Sequence, residues 1–272
     1  MVTTNDRVLM GRWGTERSYD ELSKMPDPKK RGSRHNPMRF DRSIDLVYQS
    51  VTGWNFEIED PHYYINNSRT AMIMTMTLAK DGLAFNKDGD YITAMMKTST
   101  NSTWATEFYA GSGTRVCSNG LIWADHQFKG KNTLNAEGSL RLKLIDLIER
   151  LPQIVGVLNE QWEHYDNYDL SSRQQSNDIL VQAAESDVIS YRDIPHVKEH
   201  WETPEHPEFK GRNLGNMVQA FTSHQRTKSP FETPSFSRKL ITFMDDYSDR
   251  RKEQSHEPDS QIRPLQTVHP DA

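Results

Sequence analysis

Three short runs in this 272-residue chain hold residue types that could do chemistry. The first is His196-Val197-Lys198-Glu199-His200, which reads H-x-x-E-H. On a helix the i, i+4 spacing puts both imidazoles on one face, where they could ligate zinc with Glu199 as general base. Pro195 suits the first turn of such a helix. Pro204 and Pro207 follow closely, however, and a third ligand, such as Glu205, Glu208 or a distant carboxylate, is not identifiable. No metal is therefore assigned, and His196 and His200 remain the candidate ligands of an alternative reading.

The second run surrounds Cys117, the sole cysteine. A nucleophilic thiolate needs a cation, a histidine or a helix N-terminus to lower its pKa. Arg115 lies two residues away, on the same face of a strand, and His126 lies further on. Between Val116 and the apolar run at Leu121, Cys117 reads more simply as a small buried hydrophobe. The third run is Gly111-Ser112-Gly113 with Arg115 beyond it. Glycine-rich phosphate cradles normally open a helix, whose N-terminus supplies the field. Here strand-forming residues follow, so a chain reversal at the glycines is expected instead. No catalytic residue and no cofactor follows from these runs.

Residues 101–122, N-S-T-W-A-T-E-F-Y-A-G-S-G-T-R-V-C-S-N-G-L-I, resemble the signature of a family of phage- and plasmid-encoded proteins of unknown function. Its members carry an Asn-Ser pair, a variable strand, a glycine-rich turn and an R-V-x-C-x-N-G-L-like run. Asn101, Ser102, Gly113, Arg115, Val116, Cys117, Asn119, Gly120 and Leu121 match. A second block at residues 211–222, including Arg212 and Asn213, is similar to the family's C-terminal R-N-L run, with Gln219 where an asparagine is usual. The resemblance implies a mobile-element origin and supplies no settled activity. It brings no catalytic residues with it.

The elements that would position these residues change character along the chain. Trp54 to Glu59 alternates apolar and polar, as does the run of Met72, Met74, Met76 and Leu78. Further strands are expected at 91–98, around 104–109 and at 114–118. Turns are expected at Lys80-Asp81-Gly82, at residues 86–90, where a calcium-loop reading lacks the acidic spacing, and at Asn119-Gly120. From residue 140 the apolar positions recur at i, i+3, i+4, giving helices at 140–165, with a break near Pro152, then 171–185, 212–225 and 234–247. A shorter helix at the Ser43 N-cap ends at Gly53. The expected fold class is α+β: an antiparallel sheet in the N-terminal half packed by helices from the C-terminal half. The expected organisation is a basic flexible arm over 1–43, a single α+β domain over 44–249 (strand-rich 44–134, helix-rich 135–249) and a disordered tail over 250–272.

Hydrophobic residues make up 35% of the chain and the net charge is -5, with a mean hydropathy of -0.82. An acidic chain can bind nucleic acid only through a local basic patch. The N-terminal arm supplies one, with ten basic residues against six acidic ones in residues 1–43. Lys29, Lys30, Arg31 and Arg34 are its core. Arg115, Lys129 and Lys131 could add a rim, and Trp13 and Tyr19 could stack on bases or dock the arm on its own domain. One cysteine rules out an intramolecular disulfide, so a cytoplasmic location is expected, in the host cell if the protein is phage-encoded. No apolar run approaches the roughly 20 residues that span a bilayer, so no membrane partner is expected. The expected function is a phage- or plasmid-encoded accessory protein that binds nucleic acid, with single-stranded DNA as a target. The alternatives are a zinc-dependent hydrolase using H-x-x-E-H, and a binder of a host protein that acts as decoy or inhibitor. The sequence leaves the oligomeric state open.

Overall fold

The computed structural model describes residues 14–83, 90–114, 117–121, 127–130, 136–225, 228 and 232–256. Among these residues there are seven strands, β1 (Gly14–Glu16), β2 (Glu57–Asn66), β3 (Ala71–Ala79), β4 (Asp90–Ser99), β5 (Thr106–Thr114), β6 (Cys117–Leu121) and β7 (Gln127–Gly130). Its α-helices are α1 (Tyr19–Ser23), α2 (Phe40–Thr52), α3 (Ala136–Asn167), α4 (Arg173–Glu185), α5 (Ile194–Glu202), α6 (Leu214–Gln225) and α7 (Thr233–His256). The fold is α+β. All strand pairs are antiparallel, in the order β1-β2-β3-β4-β5-β6, and β7 pairs with the other end of β5.

The period-2 alternation sets the sheet's core face. Tyr63 faces Met74, Met74 faces Met96, and Met96 faces Phe108 across successive strands, and all four side chains are buried in one cluster. The methionine row is therefore core packing rather than an exposed adaptable surface. The opposite face also carries buried side chains: Tyr64, Ile73, Met95 and Tyr109. Helices α2 and α3 pack on the sheet through β2, β5 and β7.

Several elements differ from the sequence expectation, each for a local reason. β2 continues through Pro61, because a register shift between Glu59 and His62 puts the proline at a bulge, where its missing N–H costs no ladder bond. The Gly111-Ser112-Gly113 run makes no turn. It lies inside β5, paired with Thr93, Ile92 and Tyr91, and the reversal comes after Thr114, which faces Cys117. Asn119-Gly120 likewise lies within β6. Ser43 sits inside α2, not at its N-cap, and its hydroxyl donates to the Arg39 carbonyl at 3.0 Å. Gly53 does end that helix.

Helix α3 runs unbroken past Pro152. Leu144, Leu147, Ile148 and Leu151 before the proline, and Ile154, Val155, Leu158 and Trp162 after it, form one buried stripe. Packing along that stripe offsets the roughly 3 kcal/mol that an interior proline costs. Helix α7 extends to His256, into the segment expected as a tail. The expected turn at residues 86–90 falls almost wholly outside the described residues.

Helix α6 departs furthest from expectation. The sequence gives it one apolar stripe, Leu214, Val218 and Phe221, yet every one of its twelve residues is buried. It packs against α3, α5, α7 and β6 at once, so it has no solvent face. Its polar residues Asn216, Gln219, Thr222, Ser223, His224 and Gln225 are therefore interior groups.

Candidate nucleic-acid interface

The expected flexible arm is docked from residue 14 onward. β1 adds to the edge of β2, with Gly14 opposite Asn66. A Cβ at Gly14 would sit 2.3 Å from the Ile65 carbonyl oxygen, so only glycine allows this approach. α1 is closed by a capping box in which the Ser18 hydroxyl accepts from the Glu21 N–H while the Glu21 carboxylate accepts from the Ser18 N–H. Leu22 and Phe40 then sink into the core. Composition had hidden this docking because only a few apolar residues in the segment carry it.

Between α1 and α2 the chain cannot be helical, since Pro26, Pro28, Gly32 and Pro37 interrupt it. Arg39 ties this loop down. Its guanidinium donates to the Ser23 carbonyl at 2.7 Å and pairs with Asp27 at 2.6 Å and with Asp41 at 3.0 Å. Those two carboxylates hold the guanidinium's pKa well above its ordinary value. Within the loop, His35 Nδ1 accepts from the Arg31 N–H and the His35 N–H donates to the Gly32 carbonyl. Lys29, Lys30, Arg31 and Arg34 are all exposed, and their side chains make no ion pair among the described residues. Four uncompensated cations thus stand on a loop fixed at both ends.

Tyr19 is 41% exposed, and its hydroxyl donates to Asp45 at 2.6 Å. The hydrogen bond to Asp45, with some burial, raises its pKa. This is an anchoring role, with part of the ring left accessible. Trp13, Arg115 and Lys131 lie outside the described residues.

Lys129 belongs elsewhere. It stands on β7, at the far side of the sheet from β1, five strand steps or about 24 Å along the sheet. Its ammonium lies 2.8 Å from Glu107, which also pairs with Lys97 at 2.6 Å and accepts from the Tyr109 hydroxyl. Burial pushes the Glu107 carboxyl up, but the Lys129 and Lys97 ammoniums outweigh it and hold it below its ordinary value. Lys129 is therefore a partner in an ion pair with the buried Glu107.

The signature residues hold structure. Asn101 Oδ1 accepts from the Thr103 N–H and hydroxyl, and Ser102 takes a left-handed φ of 62°, shaping the β4–β5 turn. Arg212 stacks over the Trp201 ring at 4.7 Å and donates to its carbonyl. Asn213 Oδ1 accepts from the Asn216 N–H at 2.8 Å, capping the first turn of α6. Gly113, Cys117, Asn119 and Gly120 lie in strand backbone, and their side-chain environments fall outside the described residues.

The H-x-x-E-H run forms the short helix α5, and the His196 ring stacks on His224 at 5.7 Å with an interplanar angle of 2°. Among the described residues no three His, Cys, Asp or Glu side chains gather as a metal site requires, so the hydrolase alternative finds no third ligand. The sequence reading missed what His196 does join. His224 Nε2 lies 3.0 Å from Asp193, which also takes Lys228 at 2.7 Å and the Ser190 N–H and hydroxyl. Burial raises the Asp193 carboxyl, but Lys228, Ser190 and His224 together hold it well below its ordinary value. Burial lowers the His224 imidazole, and the neighbouring Asp193 only partly offsets that.

Both groups titrate lower in the folded chain than in the unfolded one. The unfolded state then holds more protons, so stability rises with pH. The His224 share is complete above its unfolded value of 6.5 and is lost as pH falls below it. The Asp193 share is lost only below about 4. Thermal melts should therefore show Tm falling as pH drops below about 6.5, and again in stronger acid. His224→Gln should flatten the first fall while leaving the second.

Among the described residues no helix is long and apolar enough to cross a membrane. Comparison of the chain with protein-family models, with curated proteins and with solved structures finds no match.

Proposed function

We propose that this protein binds nucleic acid through its phosphates, with the loop bearing Lys29, Lys30, Arg31 and Arg34 as the contact, and serves a phage or plasmid in replication or recombination. One observation carries the reading: four exposed, unpaired cations fall within six residues on a loop pinned by Arg39. The overall charge of -5 does not oppose it. The acidic positions Asp146, Glu149, Glu160 and Glu163 all lie on the exposed face of α3, on a different element. Ammonium and guanidinium groups displace condensed counterions, so affinity falls steeply with salt.

The test is the simultaneous replacement of the four residues by alanine, read by fluorescence anisotropy with a dT oligonucleotide. Four single-strand phosphate contacts carry a salt slope of about +2.8 in log Kd against log salt, a weakening of about 50-fold between 50 and 200 mM. The variant should lose that slope. Unchanged binding would overturn the proposal, and so would the absence of binding by the intact protein at low salt. A host protein would then be the better partner. Truncating residues 1–40 is the weaker test, because it removes β1 and the core residues Leu22 and Phe40 as well as the charges.

A further inference from the structure

A cleft of about 490 Å³ opens beside the basic loop, lined by residues of β1, α1 and the β2–β3 turn. Its apolar lining is Leu22, Met25 and Ile65, and its cations are Arg17, Lys24 and Arg69. Arg17 is paired with Glu21 at 2.8 Å and Lys24 with Asp20 at 2.5 Å. Arg69 is exposed, and its guanidinium has no partner among the described residues.

The backbone at Arg69 points the same way. Arg69 has a φ of 56°, in the left-handed region that glycine or asparagine occupies at least cost. The Asn66 side chain holds the turn by accepting from the Thr70 and Ala71 N–H groups, at 2.9 and 3.0 Å. An arginine is thus kept in a strained conformation that places a free guanidinium at the cleft. Strain of this kind collects at ligand sites.

Resting on the nucleic-acid reading above, we infer that this cleft receives one nucleotide of a single strand, its base over the half-buried Met25, with the core residues Leu22 and Ile65 beneath, and its phosphate on Arg69. The volume fits, since sites for ligands of this size run about 300–1,000 Å³. The path fits as well. Lys24 lines the cleft and Lys29 opens the basic loop five residues on, so their Cα atoms lie within about 18 Å of each other. A single strand of a few nucleotides reaches from one to the other. A duplex keeps its bases stacked inside and cannot offer one to the cleft without the cost of unstacking. The cleft therefore selects single strands, while the loop holds any phosphate backbone.

The test compares the intact chain, Arg69→Asn and the four-alanine loop variant, each titrated against a labelled dT 12-mer and against a duplex of the same length. Asparagine tolerates the left-handed backbone, so Arg69→Asn should melt no lower than the parent. It should weaken the dT 12-mer about tenfold and lower the salt slope by about 0.7, with duplex affinity unchanged. Equal weakening of both targets, or none of the single strand, overturns the inference. If the loop variant alone loses binding, the cleft inference fails and the phosphate-binding reading stands; if neither variant matters, both fail. Competition by dTMP at concentrations close to those of the oligonucleotide would mark a free-nucleotide pocket instead, and would likewise overturn it.

Discussion

Replacing Phe221 by alanine is expected to lower the stability of the protein by about 3–5 kcal/mol. Phe221 is fully buried on α6, the helix with no solvent-facing residue, and is among the largest such side chains in the core. Truncation removes the transfer free energy of the ring and leaves a cavity that can collapse only if α3, α5 and α7 all shift. Gly215, in the first turn of the same helix, shows how little slack there is. A Cβ there would lie 2.3 Å from an Asp166 carboxylate oxygen. For a domain of this size each kcal/mol moves Tm by about 2–4 °C, so the expected fall is about 6–20 °C. A loss below about 1 kcal/mol in denaturant titration would mean that α6 is not the centre of the helical half.

The sheet and most helices were legible because their signals are local. Met72, Met74, Met76 and Leu78 alternate within one strand, and the buried stripe of α3 repeats within one helix. Both patterns need no knowledge of the partner. The all-round burial of α6 was not legible, since Asn216, Gln219, Thr222, Ser223, His224 and Gln225 read as a solvent face. What buries them is the convergence of four elements, which no periodicity within the helix records. The Gly111-Ser112-Gly113 run misled for the opposite reason. Glycine permits a turn but does not require one, and pairing with β4 settled the matter.

The candidate site divides along the same line. The basic loop was visible as composition, because Lys29, Lys30, Arg31 and Arg34 are neighbours in sequence. Its anchoring was not, because Arg39 reaches back 16 residues to Ser23 and 12 to Asp27. The cleft was wholly hidden: Arg17 and Arg69 stand 52 positions apart and meet only once β1 pairs with β2. Asp193 and Lys228 likewise meet across 35 positions.

The second large effect is expected between α3 and α7. Tyr165 is fully buried, and its hydroxyl donates to Asp245 Oδ1 at 2.6 Å. Gln161 Nε2 donates to both oxygens of the same carboxylate, at 2.7 and 2.8 Å. Burial, reinforced by the Asp245 carboxylate, drives the Tyr165 pKa far above its ordinary value, so the phenol stays a donor at all working pH. Asp245→Ala leaves that buried hydroxyl without its acceptor and removes the Gln161 contact too, at an expected cost of about 2–4 kcal/mol. Tyr165→Phe keeps the ring's packing and leaves Asp245 paired with Gln161, so it should cost only about 1–2 kcal/mol. In the double variant the two losses should not add, because the phenylalanine has already removed the donor that the alanine strands. A coupling of about 1 kcal/mol or more in a double-mutant cycle is expected. Additivity within about 0.3 kcal/mol would show that α3 and α7 are held by packing alone, with the carboxylate a bystander.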